Sequence, residues 1–279
     1  GNSEIYEDDT QFFLKYDIDL NKIPADSGYS RGQDLGTEGR PITIDGQGNN
    51  FTSTDGNTAM FDEIRGTLRN LNIVVNGEIN ETADKPSEAG ANDGGVPIYG
   101  NYLATYGALA NRLYGTLENV TVKGKIEVGD NSERNIIGGV VGYAEESNLT
   151  NVQSLVNITT SENNNVIGGV VGFALKTSIS NSINAGNIIS ENSLSNIIGI
   201  TATTHNNNGG NDADQNVENK DFNMHNIIGG VVGFAFNYEN EEDVVVKLSY
   251  NTGSIINNYK NTTMGNKYNL SSGGIVGYS

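Results

Sequence analysis

The segment Asn135-Ile-Ile-Gly-Gly-Val-Val-Gly-Tyr143 returns as Asn165-Val-Ile-Gly-Gly-Val-Val-Gly-Phe173 and as Asn226-Ile-Ile-Gly-Gly-Val-Val-Gly-Phe234. A shortened copy, Ser272-Gly-Gly-Ile-Val-Gly-Tyr278, lies near the end of the sequence, and a weaker one, Asn196-Ile-Ile-Gly-Ile200, sits between. The first glycines fall at 138, 168, 199, 229 and 273, in steps of 30, 31, 30 and 44 residues. Self-similarity at this period marks a stacked repeat architecture.

A second segment follows each copy. Asn151-Val-Gln-Ser-Leu-Val-Asn-Ile158 and Asn181-Ser-Ile-Asn-Ala-Gly-Asn-Ile188 begin nine residues after Gly142 and Gly172. Asn119-Val-Thr-Val-Lys-Gly-Lys-Ile126 and Asn70–Ile79 share the form, and Leu248–Ile255 matches with leucine in the asparagine slot. Nine residues before Asn119 and Asn70 lie Ala110 and Phe61, in degenerate versions of Gly-Val-Val-Gly. Each unit holds short runs of β-branched residues separated by Gly, Asn or Ser, too short and too aperiodic for helices. Coils whose like strands pair in parallel bury such runs economically, as a right-handed parallel β-helix. All four prolines (24, 41, 86 and 97) lie outside the repeat strands, where a missing N–H would break a ladder.

The expected layout is a single all-β domain over 1–279, with opening coils at 1–56 and repeats at 57–279, the last one truncated. Alternation over Phe12–Leu20 predicts one long opening strand, with Phe12, Leu14, Tyr16, Ile18 and Leu20 on one face. Ile42–Phe51 reads as strand, tight turn, strand. Five or six coils at about 4.8 Å would give a stack of roughly 25–30 Å.

Composition excludes several function classes. With 34 acidic against 16 basic residues, the net charge of -18 argues against nucleic acid or an anionic membrane as partner. There is no cysteine, hence no disulfide framework or thiolate site, and two histidines cannot build a multi-histidine metal centre. The longest apolar stretch, Ile227–Phe236, is about half of a membrane span. Gly1 opens with no charged or apolar leader segment, so a signal peptide is expected to be either absent or already removed.

Gly168–Ile188 resembles the GLUG repeat of bacterial surface proteins, and Asp17–Leu20 and Ile44–Gly48 resemble coils that commonly precede such repeats. The resemblance implies a right-handed β-helix of the pectin-lyase-like kind. It points to adhesin-like surface proteins and the non-catalytic regions of bacterial immunoglobulin-A metallopeptidases. The repeat carries no defined catalytic residues, so none transfer.

Tyr143, Phe173, Phe234 and Tyr278 share one repeat position, with Thr204 as a gap, and would stack as an aromatic ladder; an exposed column would instead suit sugars. Asn70, Asn119, Asn151 and Asn181 form a second, structural column. The glycines of Gly-Gly-Val-Val-Gly lack the spacing of a phosphate loop and suit corners.

Insertions at roughly 80–100, 200–225 and 256–271 all precede a Gly-Gly-Val-Val strand, and one-sided insertions often build a binding surface. The first carries Glu81, Asp84, Glu88 and Asp93; the second carries Asp212, Asp214, Glu218 and Asp221, the calcium candidates. These do not fit the D-x-[DN]-x-[DN]-G loop, and acidic loops are usually solvated. Glu239, Glu241, Glu242 and Asp243 lie in another insertion. His205 and His225 flank the second loop with no nucleophile positioned beside them.

The reading is a non-enzymatic, secreted or cell-surface module, adhesin-like or a scaffold. It would contact a glycan or host protein through the three loops, as part of a larger surface protein. The alternative is a carbohydrate-active enzyme, a polysaccharide lyase or glycoside hydrolase, because β-helices host such chemistry and paired carboxylates perform it.

Overall fold

The structure is a computed structural model that describes residues 10–24, 27, 30–54, 59–79, 104–129, 135–161, 165–192, 200–203, 219–222, 224–236, 243–259 and 269–279. It is a parallel β-helix with four walls per coil. The first wall comprises Ala104–Gly107, Asn135–Gly138, Val166–Gly168, Met224–Gly229 and Asn269–Gly273. These pair in parallel as one five-stranded sheet.

The other walls belong to one continuous sheet, because Phe61–Ile79 and Ala110–Val128 run through all three. In the second wall, Gln33–Leu35 and those two long strands lie below Val141–Glu145, Val171–Leu175, Val232–Phe236 and Val276–Tyr278. Thr10–Phe13 and Ile42–Asp45 begin the third wall, which ends at Val245–Lys247. Ile18–Asp19 and Asn50–Ser53 begin the fourth, which ends at Ile255–Tyr259. Seven rungs are thus described, not the five or six expected, because the opening segment adds rungs of its own; spacing of about 4.8 Å makes the stack roughly 29 Å tall.

Ile64, Leu68, Leu117, Leu149, Ile158, Ile179 and Ile188 are fully buried members of the central core. Inward residues of successive coils stand over one another, so each leucine or isoleucine packs on its equivalent one rung away. This near-continuous apolar burial is the pattern expected of parallel sheets.

Three further sequence expectations change. Phe12–Leu20 is not one strand: Thr10–Phe13 and Ile18–Asp19 are separated, and Leu20–Lys22 forms a 3-10 turn. Only Leu20 of that alternating face is buried, whereas Phe12, in the lowest described rung, is 51% and Tyr16 70% exposed; Asp19 caps the turn by accepting from Asn21 N–H. The weak copy Asn196–Ile200, of which only Ile200 is described, has no rung of its own in the first wall. Val166–Gly168 pairs directly with Ile227–Gly229, while Ile200–Thr203 pairs antiparallel with Asn219–Phe222 in a separate two-stranded sheet. Finally, Ala110 aligns with Val141 rather than Gly142, because that coil turns its next corner with one residue fewer. The strand–turn–strand at Ile42–Phe51 holds, with Asn49 N–H donating to the Gly46 carbonyl at 2.9 Å.

Candidate functional site

The Gly-Gly bend between the first and second walls points inward. A Cβ on Gly139 would meet Ser154 Oγ of the opposite wall at 2.6 Å. On either side of the bend the backbones touch: a Cβ on Gly138 would lie 1.7 Å from the Val141 carbonyl oxygen, and one on Gly142 would lie 2.7 Å from Tyr106 N. Only glycine permits that approach. The two walls therefore face each other across an outward notch that runs along the stack.

Above, the notch is filled. Ile136, Val166 and Ile227 from the first wall meet Tyr143, Phe173 and Phe234 from the second in an apolar cluster separate from the central core. The rings stack at centroid distances of 5.6 Å for Tyr143–Phe173, 5.3 Å for Phe173–Phe234 and 5.1 Å for Phe234–Tyr278. Phe173 lies directly on Phe234, so the column has no gap, and Thr204 lies outside the described residues. Tyr143, Phe173 and Phe234 are 0%, 3% and 9% exposed, so these rings are a structural ladder, not a sugar platform.

Below, the same positions turn polar. Glu63, Arg112 and Tyr143 are aligned rung by rung, as are Arg65 and Tyr114 beside them. Arg65 pairs with Glu63 and also lies 4.1 Å from the centre of the Tyr114 ring. Tyr143 Oη donates to Glu145 Oε2 at 2.9 Å, and Asn111 Nδ2 donates to Asp62 Oδ1 at 2.9 Å. Among the described residues, two buried polar atoms here have no partner: Asn111 Oδ1 and Arg112 Nε. Burial is the first cause holding the Glu145 carboxyl above its ordinary value, opposed by the Tyr143 hydrogen bond. Burial, with repulsion from Asp62 and Glu63, also raises Asp34. Burial and the nearby Glu145 carboxylate raise the Tyr114 phenol. The foot of this column is thus a half-buried mosaic of carboxylates, guanidinium groups and tyrosine on the second wall.

The loop candidates fare differently. Glu81, Asp84, Glu88, Asp93, Asp212, Asp214, Glu218, His205, Glu239, Glu241 and Glu242 lie outside the described residues. Asp221 sits in the antiparallel strand Asn219–Phe222, opposite Thr201, and His225 in the first-wall strand Met224–Gly229. Asp243 begins the approach to the third wall. Among the described residues, no three His, Asp or Glu side chains gather as a metal site, and no helix is long and apolar enough to cross a membrane.

The asparagine column is as expected for three members. Asn119 Nδ2 donates to Asn70 Oδ1 at 3.0 Å and Asn151 Nδ2 to Asn119 Oδ1 at 2.9 Å. Asn70, Asn119, Asn151 and Asn181 all adopt left-handed backbone, φ 52°, 52°, 57° and 49°. A second, buried asparagine ladder was signalled by the first residue of each Asn-x-Ile-Gly-Gly copy. Asn135 N–H donates to Asn165 Oδ1 at 2.8 Å, and Asn165 N–H to Asn226 Oδ1 at 2.7 Å.

No protein-family model matches this chain, and no curated protein does. Among solved structures it is similar to one named IgA1 protease, at 15% identity and a TM-score of 0.47, over 94% of this chain and 20% of that one. Another carries the provisional name immunoglobulin A1 protease, from Bacteroides ovatus, at 13% identity and a TM-score of 0.47, over 97% of this chain and 78% of that one. This chain therefore spans about a fifth of the first of these proteins. Likeness of this degree assigns no activity; the chain's own strand pairing makes it a parallel β-helix.

Proposed function

We propose that this protein is a non-enzymatic, extracellular or cell-surface module of the GLUG-repeat kind, adhesin-like or a scaffold, that contacts a glycan or a host protein. One observation carries the reading: the three long connections, from Ile79 to Ala104, Asn192 to Met224 and Tyr259 to Asn269, each join the fourth wall to the first. All three leave the stack along the same edge, the arrangement in which solenoids present a composite binding surface. The rungs supply a rigid rod, and the charge of -18 favours solubility. The calcium candidates Asp212, Asp214, Glu218 and Asp221 fall in the second connection, where a bound ion would brace that surface.

The test is binding of the purified protein to immobilised glycans and host glycoproteins, with and without calcium, beside a variant whose residues 204–218 are replaced by two glycines. The expected result is binding that the excision weakens, and a melting temperature that calcium raises only in the parent. Release of reducing ends from a polysaccharide at a measurable rate would overturn the non-enzymatic reading.

A further inference from the structure

The asparagine column at the corner between the third and fourth walls does not end at Asn70. One rung lower the corner residue is Gln47, at φ 50°, and the side chain that meets Asn70 is a carboxylate: Asn70 Nδ2 donates to Asp45 Oδ1 at 3.1 Å. Asn119 Nδ2 donates to Asn70 Oδ1 at 3.0 Å and Asn151 Nδ2 to Asn119 Oδ1 at 2.9 Å. Three amides and one carboxylate thus form a single file over four rungs, roughly 14 Å from end to end. Every bond in the file runs the same way, from an amide nitrogen above to an oxygen below.

A column of amides has no direction of its own, since each side chain carries a donor end and an acceptor end. A carboxylate imposes one. It only accepts, so Asn70 must turn its Nδ2 toward Asp45, which leaves its Oδ1 facing up the column. That oxygen also only accepts, so Asn119 must present Nδ2 in turn, and Asn151 after it. Asp45 is itself firmly held: it is 8% exposed and accepts from the Gln47 N–H at 3.0 Å and the Arg69 Nε–H at 2.9 Å. Arg69 faces it from the rung above, and Glu118 lies opposite Arg69 one rung further on. Burial by itself would raise the Asp45 carboxyl, but the Asn70, Gln47 and Arg69 hydrogen bonds outweigh it and hold the group below its ordinary value.

We infer that Asp45 is a positioning residue for the whole column: its negative charge aligns and polarises the amides of Asn70, Asn119 and Asn151, so that a group in the opening coils governs the order of a corner three rungs away. Hydrogen bonds in such a chain strengthen one another. The device is acid-sensitive. A carboxyl lowered on folding contributes stability that is present above its unfolded value of 3.8 and is lost as pH falls through the folded one, so the column loosens in acid.

The test is nuclear magnetic resonance of the full chain labelled with nitrogen-15, following the side-chain amides of the three asparagines. In the parent, acid titration shifts all three with one shared midpoint below the usual carboxylate range, and the amplitude falls from Asn70 to Asn151. This measurement does not depend on any variant folding. D45N keeps the shape and an acceptor but removes the charge, and it abolishes the shared midpoint. At pH 7 its Asn151 side-chain protons exchange with solvent about threefold faster, relative to the backbone amides of 155–158 that report general opening. Titration confined to Asn70, midpoints that differ among the three or survive in D45N, or unchanged exchange at Asn151 would overturn the inference and leave the column a set of independent bonds.

Discussion

Leu248 occupies the corner that asparagine holds in the coils beneath it, at φ 49° and 82% exposed. An ordinary side chain in this left-handed region costs roughly 1–2 kcal/mol, and asparagine distinctly less because its short amide bonds locally. The leucine recovers little by packing, since most of its surface meets water. Leu248→Asn should therefore stabilise the upper coils by about 1 kcal/mol, and Leu248→Gly by a similar amount. In a chain of this size that is a rise of about 2–4 °C in melting temperature. Leu248→Ala isolates the cause, because alanine removes the exposed side chain but keeps the Cβ that strains the corner; it should give no gain. The reciprocal change, Asn151→Leu, introduces the strain and removes the 2.9 Å bond to Asn119, for a loss of about 2 kcal/mol. Urea denaturation gives the global values, and hydrogen exchange over 245–255 reports the local one, which matters in a stack whose coils can open separately. Were Asn and Ala to act alike at 248, backbone strain would not be what the asparagine column relieves.

Three further outcomes are expected. Val170 is fully buried in the central core, so Val170→Asp strands a charge there; several kcal/mol should be lost and the middle coils should unfold, visible as a collapsed β-sheet circular dichroism signal. Ser154 Oγ is buried without a hydrogen-bond partner, so Ser154→Ala should be neutral or stabilise by about 1 kcal/mol, where a clear loss in urea midpoint would show a missed partner. The Glu145 carboxyl is raised in the folded state, chiefly by burial, so its contribution to stability is present below the unfolded value of 4.5 and is lost as pH climbs through the folded one. Glu145→Gln, which keeps an acceptor for the Tyr143 hydroxyl, should then melt higher than the parent at pH 7 and alike at pH 4.

Repeats made the stack legible because each rung reuses the same chemistry: an apolar pair inward, a glycine at the bend, an asparagine at the left-handed corner. The misreading at Asn196–Ile200 marks the limit of that logic. Four residues of the motif were present, yet Val166–Gly168 pairs directly with Ile227–Gly229, so no first-wall rung corresponds to that copy. The notch was not legible. Ile136 and Ile137 are consecutive, and both are buried, so nothing in the order of residues told that they serve different cores. The polar foot was hidden for another reason: Glu63 and Arg112 lie in degenerate copies, and only the ladder register reveals that they continue the column of Tyr143 and Phe173.

The direct seating of Ile227 on Val166, across a step of 61 residues where the preceding step from Ile136 is 30, means that the scaffold measures itself by contact and not by count. Successive turns need only present matching edges; how far the chain wanders before returning is immaterial to its neighbours. Lineages carrying this architecture are thereby free to lengthen, trade or discard an excursion at the 192–224 junction without disturbing the rod. The same junction offers protein engineers a grafting point for a foreign peptide.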